Sequence, residues 1–137
     1  MADMISPERR SALMGRIRSK DTQPEMAVRR LVHSLGYRYV LHDKRLPGTP
    51  DLVFPSRSKA ILVHGCFWHG HHCGRGFRPT TNSDFWQQKI EGNMARDRRN
   101  LRALRALGWK ALVVFECATQ PQRRGRLERR LSGFLDG

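Results

Sequence analysis

The chain has 137 residues, which is enough for one domain with a modest hydrophobic core. Its 26 lysines and arginines exceed its 12 acidic residues and give a formal net charge of +14, which favours nucleic acid as the partner over an anionic membrane surface. No apolar run approaches the roughly 20 residues of a membrane span, and the first residues carry no secretion signal, so we expect a cytoplasmic protein without membrane contact.

The first 20 residues are polar and basic, with Met14 and Ile17 as isolated apolar side chains. They precede the first helix signal, so residues 1–20 are predicted to form a basic N-terminal arm. The rest of the chain, residues 21–137, is predicted to form a single domain.

The first helix is predicted to begin at Thr22, a suitable N-cap, with Pro24 just inside it and Glu25 at the capping-box position. Glu25 also lies on the apolar stripe of this helix, so it can be both a cap and a functional carboxylate. Gly36 ends the helix. The apolar residues in between recur at helical spacing and are Val28, Leu31, Val32 and Leu35.

The remaining elements are predicted from apolar runs, helical periodicity and turn residues. They are strands over 37–41, 51–54 and 60–64, a helix over 84–107, a strand over 109–116 and a helix over 126–135. The second and third strands should form a hairpin. This order predicts an α/β fold with one mixed sheet and flanking helices.

The long helix carries one carboxylate within its apolar stripe. Asp97 occupies the gap in a set of apolar residues, which are Trp86, Ile90, Met94, Leu101 and Leu104. A carboxylate on a core-facing stripe needs a partner. Asp97 can pair with a neighbouring arginine, reach water at the helix edge, or orient a histidine.

The segment 64–73 holds four of the six histidines and two of the three cysteines of the chain. In a reducing compartment, these thiols indicate metal binding or burial rather than disulfides. A Cys₃His zinc site is one interpretation, and buried free thiols or a catalytic zinc with an open position are the alternatives. The candidate ligands are Cys66, Cys73, Cys117 and one of His69, His71 and His72.

Asp51 opens the second strand, directly after Pro50. The hairpin can place its carboxylate beside His64, and oxygen ligands of this kind suit Mg²⁺. Because Pro-Asp is also a common turn dipeptide, the spacing around Asp51 does not by itself assign a metal site.

Phe67, Trp68 and Trp86 are large aromatic residues in polar, basic surroundings. Aromatic residues commonly belong to a core, but in a basic protein they can also insert between bases. The arginine-rich stretches 96–105 and 123–130 have few acidic neighbours, which favours contacts with phosphates over solvated salt-bridge lattices.

Further motifs run in order across nearly the whole chain. They are Met14-x-x-Ile17, Thr22-x-x-Glu25, Leu46-Pro47-Gly48-x-Pro50-Asp51, His64-Gly65-Cys66-Phe67-Trp68-His69-x-His71-x-Cys73, Phe85-Trp86-x-x-Lys89-Ile90, Asn93-x-x-Arg96-Asp97, Leu107-Gly108-Trp109 and Glu116-Cys117. On these motifs the chain resembles the very-short-patch-repair (Vsr) DNA mismatch endonucleases, which have a restriction-endonuclease-like fold.

The resemblance implies a catalytic centre in which Asp51 binds Mg²⁺ directly and Val63 contributes its main-chain carbonyl. Threonine is frequent at position 63 in the family, so a role for its hydroxyl would be lost in this chain. His69 would activate the attacking water or contact the scissile phosphate, oriented by Asp97. The polar shell would be completed by His64 and Glu25.

The resemblance also implies a structural zinc ion and a set of DNA contacts. The zinc ligands would be Cys66, His71, Cys73 and Cys117. The residues that intercalate beside the mismatch would be Phe67, Trp68 and Trp86. Other DNA contacts would come from Met14, Ile17, Lys89 and Arg96.

The function that the resemblance implies is a Mg²⁺-dependent nick 5′ to the thymine of a T:G mismatch arising from 5-methylcytosine deamination. The protein would act as a monomer on double-stranded DNA and could pass its product to a mismatch-repair ATPase. A catalytically silent zinc-stabilised DNA-binding protein and a less selective nuclease of the same fold are the alternatives. The joint presence of Asp51, His64, His69 and Asp97 favours an enzyme.

Overall fold

The computed structural model describes residues 22–71 and 83–137. The predicted arm with Met14 and Ile17, and also Cys73, lie outside these described residues. The helices and strands are α1 (Gln23–Ser34), β1 (Val40–Leu41), β2 (Leu52–Phe54), β3 (Lys59–His64), α2 (Ser83–Ala106), β4 (Lys110–Phe115) and α3 (Arg124–Asp136).

The four strands form one sheet in the order β1-β2-β3-β4. The pairs β1/β2 and β2/β3 are antiparallel, whereas β3 and β4 are parallel. The β2–β3 hairpin aligns Leu52 with Ile61, and the parallel pair aligns His64 with Phe115. A parallel pair needs a long crossover connection, which here contains α2. The predicted mixed α/β sheet with flanking helices is confirmed.

Helices cover both faces of the sheet. On one face, α1 and α3 enclose a buried apolar cluster of Val28, Val32, Leu52, Phe54, Ile61, Val114, Leu127, Leu131 and Leu135. On the other face, Leu104 of α2 packs against Ala60 and Leu62. Successive side chains of β3 therefore enter opposite layers, as strand geometry requires. Among the described helices, none has the length and apolar composition needed to cross a lipid bilayer.

Two elements begin more than one residue away from the position predicted from the sequence. The strand predicted over 37–41 is reduced to Val40–Leu41, because the neighbouring strand Leu52–Phe54 is itself short and limits the pairing. The last helix begins earlier than predicted, at Arg124, because the 3₁₀ turn Pro121–Arg123 leads directly into it.

Candidate active site

Three groups of polar side chains lie near the ends of the strands, and in each group the potential ligand atoms are within 4.8 Å of one another. They are the acidic cluster of Glu25, His42 and Asp51, the imidazole cluster of His64, His69 and Asp97, and the thiol cluster of Cys66, His71 and Cys117.

The acidic cluster joins α1 to the edge of the β1–β2 pair. Oδ2 of Asp51 accepts a hydrogen bond of 2.7 Å from the backbone N–H of Val63 in β3. Nε2 of His42 lies 2.7 Å from Oε2 of Glu25 and 3.9 Å from Oδ1 of Asp51. Glu25 is only 2% exposed, and Arg29 lies 3.5 Å from the same carboxylate. Two carboxylates are thus held together at a largely buried place.

His42 is a member of this cluster that the sequence analysis missed. It follows β1 directly, and the register that pairs Leu41 with Leu52 places it opposite Asp51. Its backbone N–H donates to the carbonyl of Asp51 over 3.1 Å. Its φ of 48° lies in the left-handed region, which non-glycine residues adopt uncommonly and often at functional sites. The register between β1 and β2 is the information that would have identified His42 as a neighbour of Asp51.

Burial, together with the nearby carboxylate of Glu25, raises the pKa of Asp51 to about 7, although the Val63 N–H and His42 act in the opposite direction. The cluster therefore disfavours a bare negative charge. A divalent cation would reverse this preference, because its own charge stabilises the ionised carboxylate. Oxygen donors are the ligands that Mg²⁺ prefers, so the chemistry of this cluster fits such an ion.

The imidazole cluster lies on the α2 side of the sheet. Nδ1 of His69 lies 2.5 Å from Oδ2 of Asp97. His64, the last residue of β3, stacks on the His69 ring with centroids 3.8 Å apart and planes at 6°. Its Nδ1 is 3.9 Å from the same Asp97 oxygen. The carboxylate in the apolar stripe of α2 therefore meets a histidine.

Burial lowers the pKa of His64 to about 4, and the adjacent His69 also lowers it, while Asp97 opposes the shift. His64 therefore stays neutral near pH 7. The sequence analysis expected Asp51 beside His64. The imidazole beside Asp51 is instead that of His42, because the alternation of β3 sends the His64 side chain into the α2 layer.

The thiol cluster connects the segment after β3 with the end of β4. Cys66 is fully buried and Cys117 is 8% exposed. Sγ of Cys117 lies 3.6 Å from Nδ1 of His71, and the N–H of His71 donates to the carbonyl of Cys66 over 3.0 Å. Two thiols and an imidazole form a donor set that fits zinc. The proposed fourth ligand, Cys73, lies outside the described residues.

The aromatic residues singled out in the sequence form one half-buried group. Trp68 lies 5.0 Å from Phe67 and 5.8 Å from Trp86 between ring centroids, and Phe67 lies 5.5 Å from Trp86. All three contacts are edge-to-face, an arrangement that aromatic pairs favour. Nζ of Lys89 lies 5.9 Å from the centroid of Trp68, which brings a positive charge to this aromatic group.

Asn93 anchors this group to α2. It belongs to one of the motifs above, but no role was assigned to it from the sequence. Only 6% exposed, it donates from Nδ2 to the carbonyl of Trp68 over 3.0 Å. Its Oδ1 accepts a 2.7 Å hydrogen bond from Arg96. The same helix carries Asp97, so one rigid element positions both the aromatic group and the imidazole cluster.

Gly70 allows the segment after β3 to lie against α2. Its φ is 64°, and a Cβ atom here would collide with the side chains of Met94 and Ile90. Any larger residue would push away the backbone between His69 and His71, which belong to two different clusters.

Comparisons with known proteins identify the family of this chain. Residues 2–75 match the family described as DNA mismatch endonuclease Vsr. The chain is 55% identical over 136 residues to the type II nicking enzyme V.XorIIP of Xanthomonas oryzae pv. oryzae, covering 99% of this chain and 98% of that protein. It is 43% identical to the type II nicking enzyme V.NmeAIP of Neisseria meningitidis, covering 85% of this chain and 84% of that one.

The DNA mismatch endonuclease Vsr of Escherichia coli is 42% identical over 118 residues, which cover 86% of this chain and 76% of that protein. The chain belongs to the Vsr family of DNA endonucleases.

Proposed function

We propose that this chain makes a Mg²⁺-dependent single-strand nick 5′ to the thymine of T:G mismatches that arise from deamination of 5-methylcytosine. One observation carries the proposal: an acidic cluster and a histidine–carboxylate pair meet at Val63 and His64, neighbouring residues of β3. A simple DNA-binding module needs neither. The names of the relatives, nicking enzyme and DNA mismatch endonuclease, support the same reaction.

Asp51 is the proposed direct ligand of Mg²⁺, and the main-chain carbonyl of Val63 is the proposed second donor. In an extended strand, the N–H and C=O of one residue point to the same side. Because the Val63 N–H donates to Asp51, the Val63 carbonyl also faces that edge. Glu25 would complete the polar shell. A bound Mg²⁺ would neutralise charge on the scissile phosphate.

Valine at position 63 is compatible with this role. Its side chain packs against the apolar core between the sheet and the helices α1 and α3. The main-chain carbonyl is therefore available whatever the side chain is, and the proposed site does not need the threonine hydroxyl that is frequent in the family.

His69 is the proposed group that accepts a proton from the attacking water. A carboxylate can only accept in the 2.5 Å contact with Asp97, so Nδ1 of His69 carries the proton and Nε2 keeps its lone pair. The neutral His64 ring stacked on His69 places no second positive charge there. An imidazole oriented in this way is a suitable general base near neutral pH.

The aromatic group is the proposed wedge beside the mismatch. A T:G pair stacks less well than a Watson–Crick pair, so inserting Phe67, Trp68 and Trp86 should cost less there. The hydrogen bond from Asn93 to Trp68 supports a preorganised wedge. Further DNA contacts are proposed for Met14, Ile17, Lys89 and Arg96.

The thiol cluster, together with Cys73, is the proposed structural zinc site. Zinc would fasten the segment after β3 to the end of β4. Cys117→Ser should lower both zinc content and melting temperature, measured by metal analysis and thermal unfolding. Thr119→Ser is the matched control, because Thr119 is a buried neighbour without a thiol. Unchanged zinc content in Cys117→Ser would contradict the site.

A nicking assay tests the main proposal. End-labelled duplexes that differ only in carrying T:G or C:G at one position are incubated with and without Mg²⁺ in several flanking contexts. We expect a Mg²⁺-dependent cut in one strand of the T:G duplex alone. Equal cutting of both duplexes would indicate a less selective nuclease. Tight binding without cutting in any context would indicate a silent binding protein.

Monomeric action on double-stranded DNA stays a prediction from the resemblance. The arm over 1–20, the single domain over 21–137, the cytoplasmic location and the handover to a mismatch-repair ATPase stay predictions from the sequence and the resemblance.

A further inference from the structure

A cavity of about 350 Å³ opens along β4, the strand at one edge of the sheet. It is lined by Val113 and Phe115 of β4, by Arg123, Arg126 and Arg130 of α3 and the turn before it, and by His71 and Cys117 of the thiol cluster. We call it the basic cavity. Guanidinium groups only donate hydrogen bonds, so a cavity lined by three of them suits an anion with several acceptor oxygens.

Among the described residues, ion pairs do not neutralise the charges of the arginines in the basic cavity. Nη2 of Arg130 donates to the main-chain carbonyl of Val113 over 3.2 Å, which leaves its charge unpaired. Within 22–71 and 83–137, no acidic side chain forms an ion pair with Arg123, Arg126 or Arg130. In α3, Arg126 and Arg130 are four residues apart and share a flank, because this spacing is about one helical turn.

The basic cavity is close to the imidazole cluster. His71 lines the cavity and stacks on Phe115, with ring centroids 4.0 Å apart. The other contact of Phe115 is with His64, at 5.8 Å between centroids. One aromatic ring therefore separates the cavity wall from the proposed catalytic histidines. Phosphates of a DNA strand follow one another about every 3.4 Å along the helix axis, so the cavity is within a few nucleotides of the nicked position.

Exposed arginines of α2, which packs on the opposite face of the sheet from α3, add further positive charge. Arg98, Arg102 and Arg105 are exposed and recur at the spacing of one helical face. Asn100, on the opposite flank of α2, lies against Gly48 in the β1–β2 connection. The arginine flank therefore lies on the side of α2 away from the β1–β2 connection.

We infer that the basic cavity binds a backbone phosphate of the DNA substrate at a position outside the nicked step. This inference rests on the proposed action on duplex DNA and adds a second anchoring point for it. A phosphate contact carries no base information, so it fixes the orientation of the duplex and strengthens binding equally for matched and mismatched sequences. The surplus of positive charge in the whole chain favours DNA over an acidic protein as the occupant.

The test is the salt dependence of duplex binding, measured by fluorescence anisotropy without added Mg²⁺, so that nicking does not interfere. The variant is R123Q/R126Q. Arg130 is left intact because it also contacts the β4 backbone. The control is R30Q/R38Q, which removes the same charge from exposed positions on α1 and in the segment before β1. Thermal unfolding checks both folds, and R123K/R126K keeps the charge if the glutamine variant is unstable.

We expect R123Q/R126Q to bind T:G and C:G duplexes several-fold more weakly, with a salt slope smaller by about one than that of the wild type. The control and the lysine variant should keep nearly the wild-type slope. Shortening the duplex on one side of the nick should abolish the difference between wild type and R123Q/R126Q.

An unchanged slope in R123Q/R126Q would overturn the inference and leave an acidic protein segment as the occupant to examine. An equal loss in R30Q/R38Q would also overturn it, because the effect would then be that of overall charge. Neither outcome depends on cutting, so a failure of T:G nicking in the wild type would be a separate result.

Discussion

The acidic cluster and the imidazole cluster meet at adjacent residues of β3, yet burial has opposite chemical consequences in them. Burial raises the pKa of Asp51 to about 7 and lowers that of His64 to about 4. Both shifts favour neutral side chains. A neutral carboxyl is the wrong form for binding Mg²⁺, so the acidic cluster needs a cation to become functional. A neutral imidazole is already the form that accepts a proton, so the imidazole cluster needs no cation for this role.

Asp51→Asn should give the largest effect. Loss of the charged ligand is expected to reduce single-turnover nicking by roughly 10³- to 10⁴-fold, while duplex binding changes little. Its amide oxygen can still accept from Val63, so the fold should persist. The control is Asp43→Asn, since Asp43 is a buried carboxylate paired with Arg45 outside the cluster. Loss of folding in Asp51→Asn alone would give Asp51 a structural role.

His69→Ala should reduce the rate by about 10²- to 10⁴-fold, the range for loss of a general base. The midpoint of the Mg²⁺ dependence should stay at its wild-type value, because His69 is not a proposed ligand. His33→Ala, which removes an exposed histidine of α1, is the control. A large shift of the Mg²⁺ midpoint in His69→Ala would mean that the two clusters do not have separate roles.

His64→Asn should alter the pH dependence of stability. Folding lowers the pKa of His64 from 6.5 to about 4, so the unfolded chain binds more protons between these values. The contribution of neutral His64 to the free energy of unfolding is fully present above pH 6.5. It decreases by up to about 3 kcal/mol as pH falls toward 4. Asp51 acts in the opposite direction over an overlapping range. The quantity to measure is therefore the difference in free energy of unfolding between wild type and His64→Asn.

That difference, determined by urea unfolding in Mg²⁺-free buffer, should decrease as pH falls from 6.5 to 4. His33→Asn should follow the wild type throughout. A constant difference between wild type and His64→Asn would mean that His64 titrates normally in the folded protein.

His42→Ala should have the smallest effect, a reduction of about 10-fold or somewhat more in apparent Mg²⁺ affinity, which is typical for a residue that orients ligands. His42 acts through Glu25 and Asp51, so the Mg²⁺ midpoint should move while the rate at saturating Mg²⁺ changes less. His42→Gln keeps a hydrogen-bond donor and should recover part of the loss. A lower plateau with an unchanged midpoint would place His42 outside the metal shell.

The order of elements and part of the site were predictable from the sequence. Apolar periodicity predicted α2, and the phase of Asp97 on its stripe indicated a partner that proves to be His69. Cys66 and Cys117 were both candidate zinc ligands, and they lie together because β3 pairs with β4.

Other parts of the candidate site depend on the register between strands, which local sequence patterns do not encode. His42 meets Asp51 only because a two-residue strand, Val40–Leu41, pairs in one particular register. The buried Asn93 contributes through its hydrogen bonds with Trp68 and Arg96. Neither hydrogen bond is visible in the apolar periodicity of the sequence. Such contacts appear only when the packing of the segment after β3 against α2 is known.

The parallel alignment of His64 with Phe115 has a consequence for folding of the new chain. Asp51, His64 and His69 leave the ribosome before α2 and β4, but Asp97 and the strand that completes the sheet come later. Contacts between segments so far apart in sequence form slowly, and chains fold as whole domains. We therefore expect nuclease activity to emerge only with the last phase of refolding, so that incomplete chains cannot cut DNA.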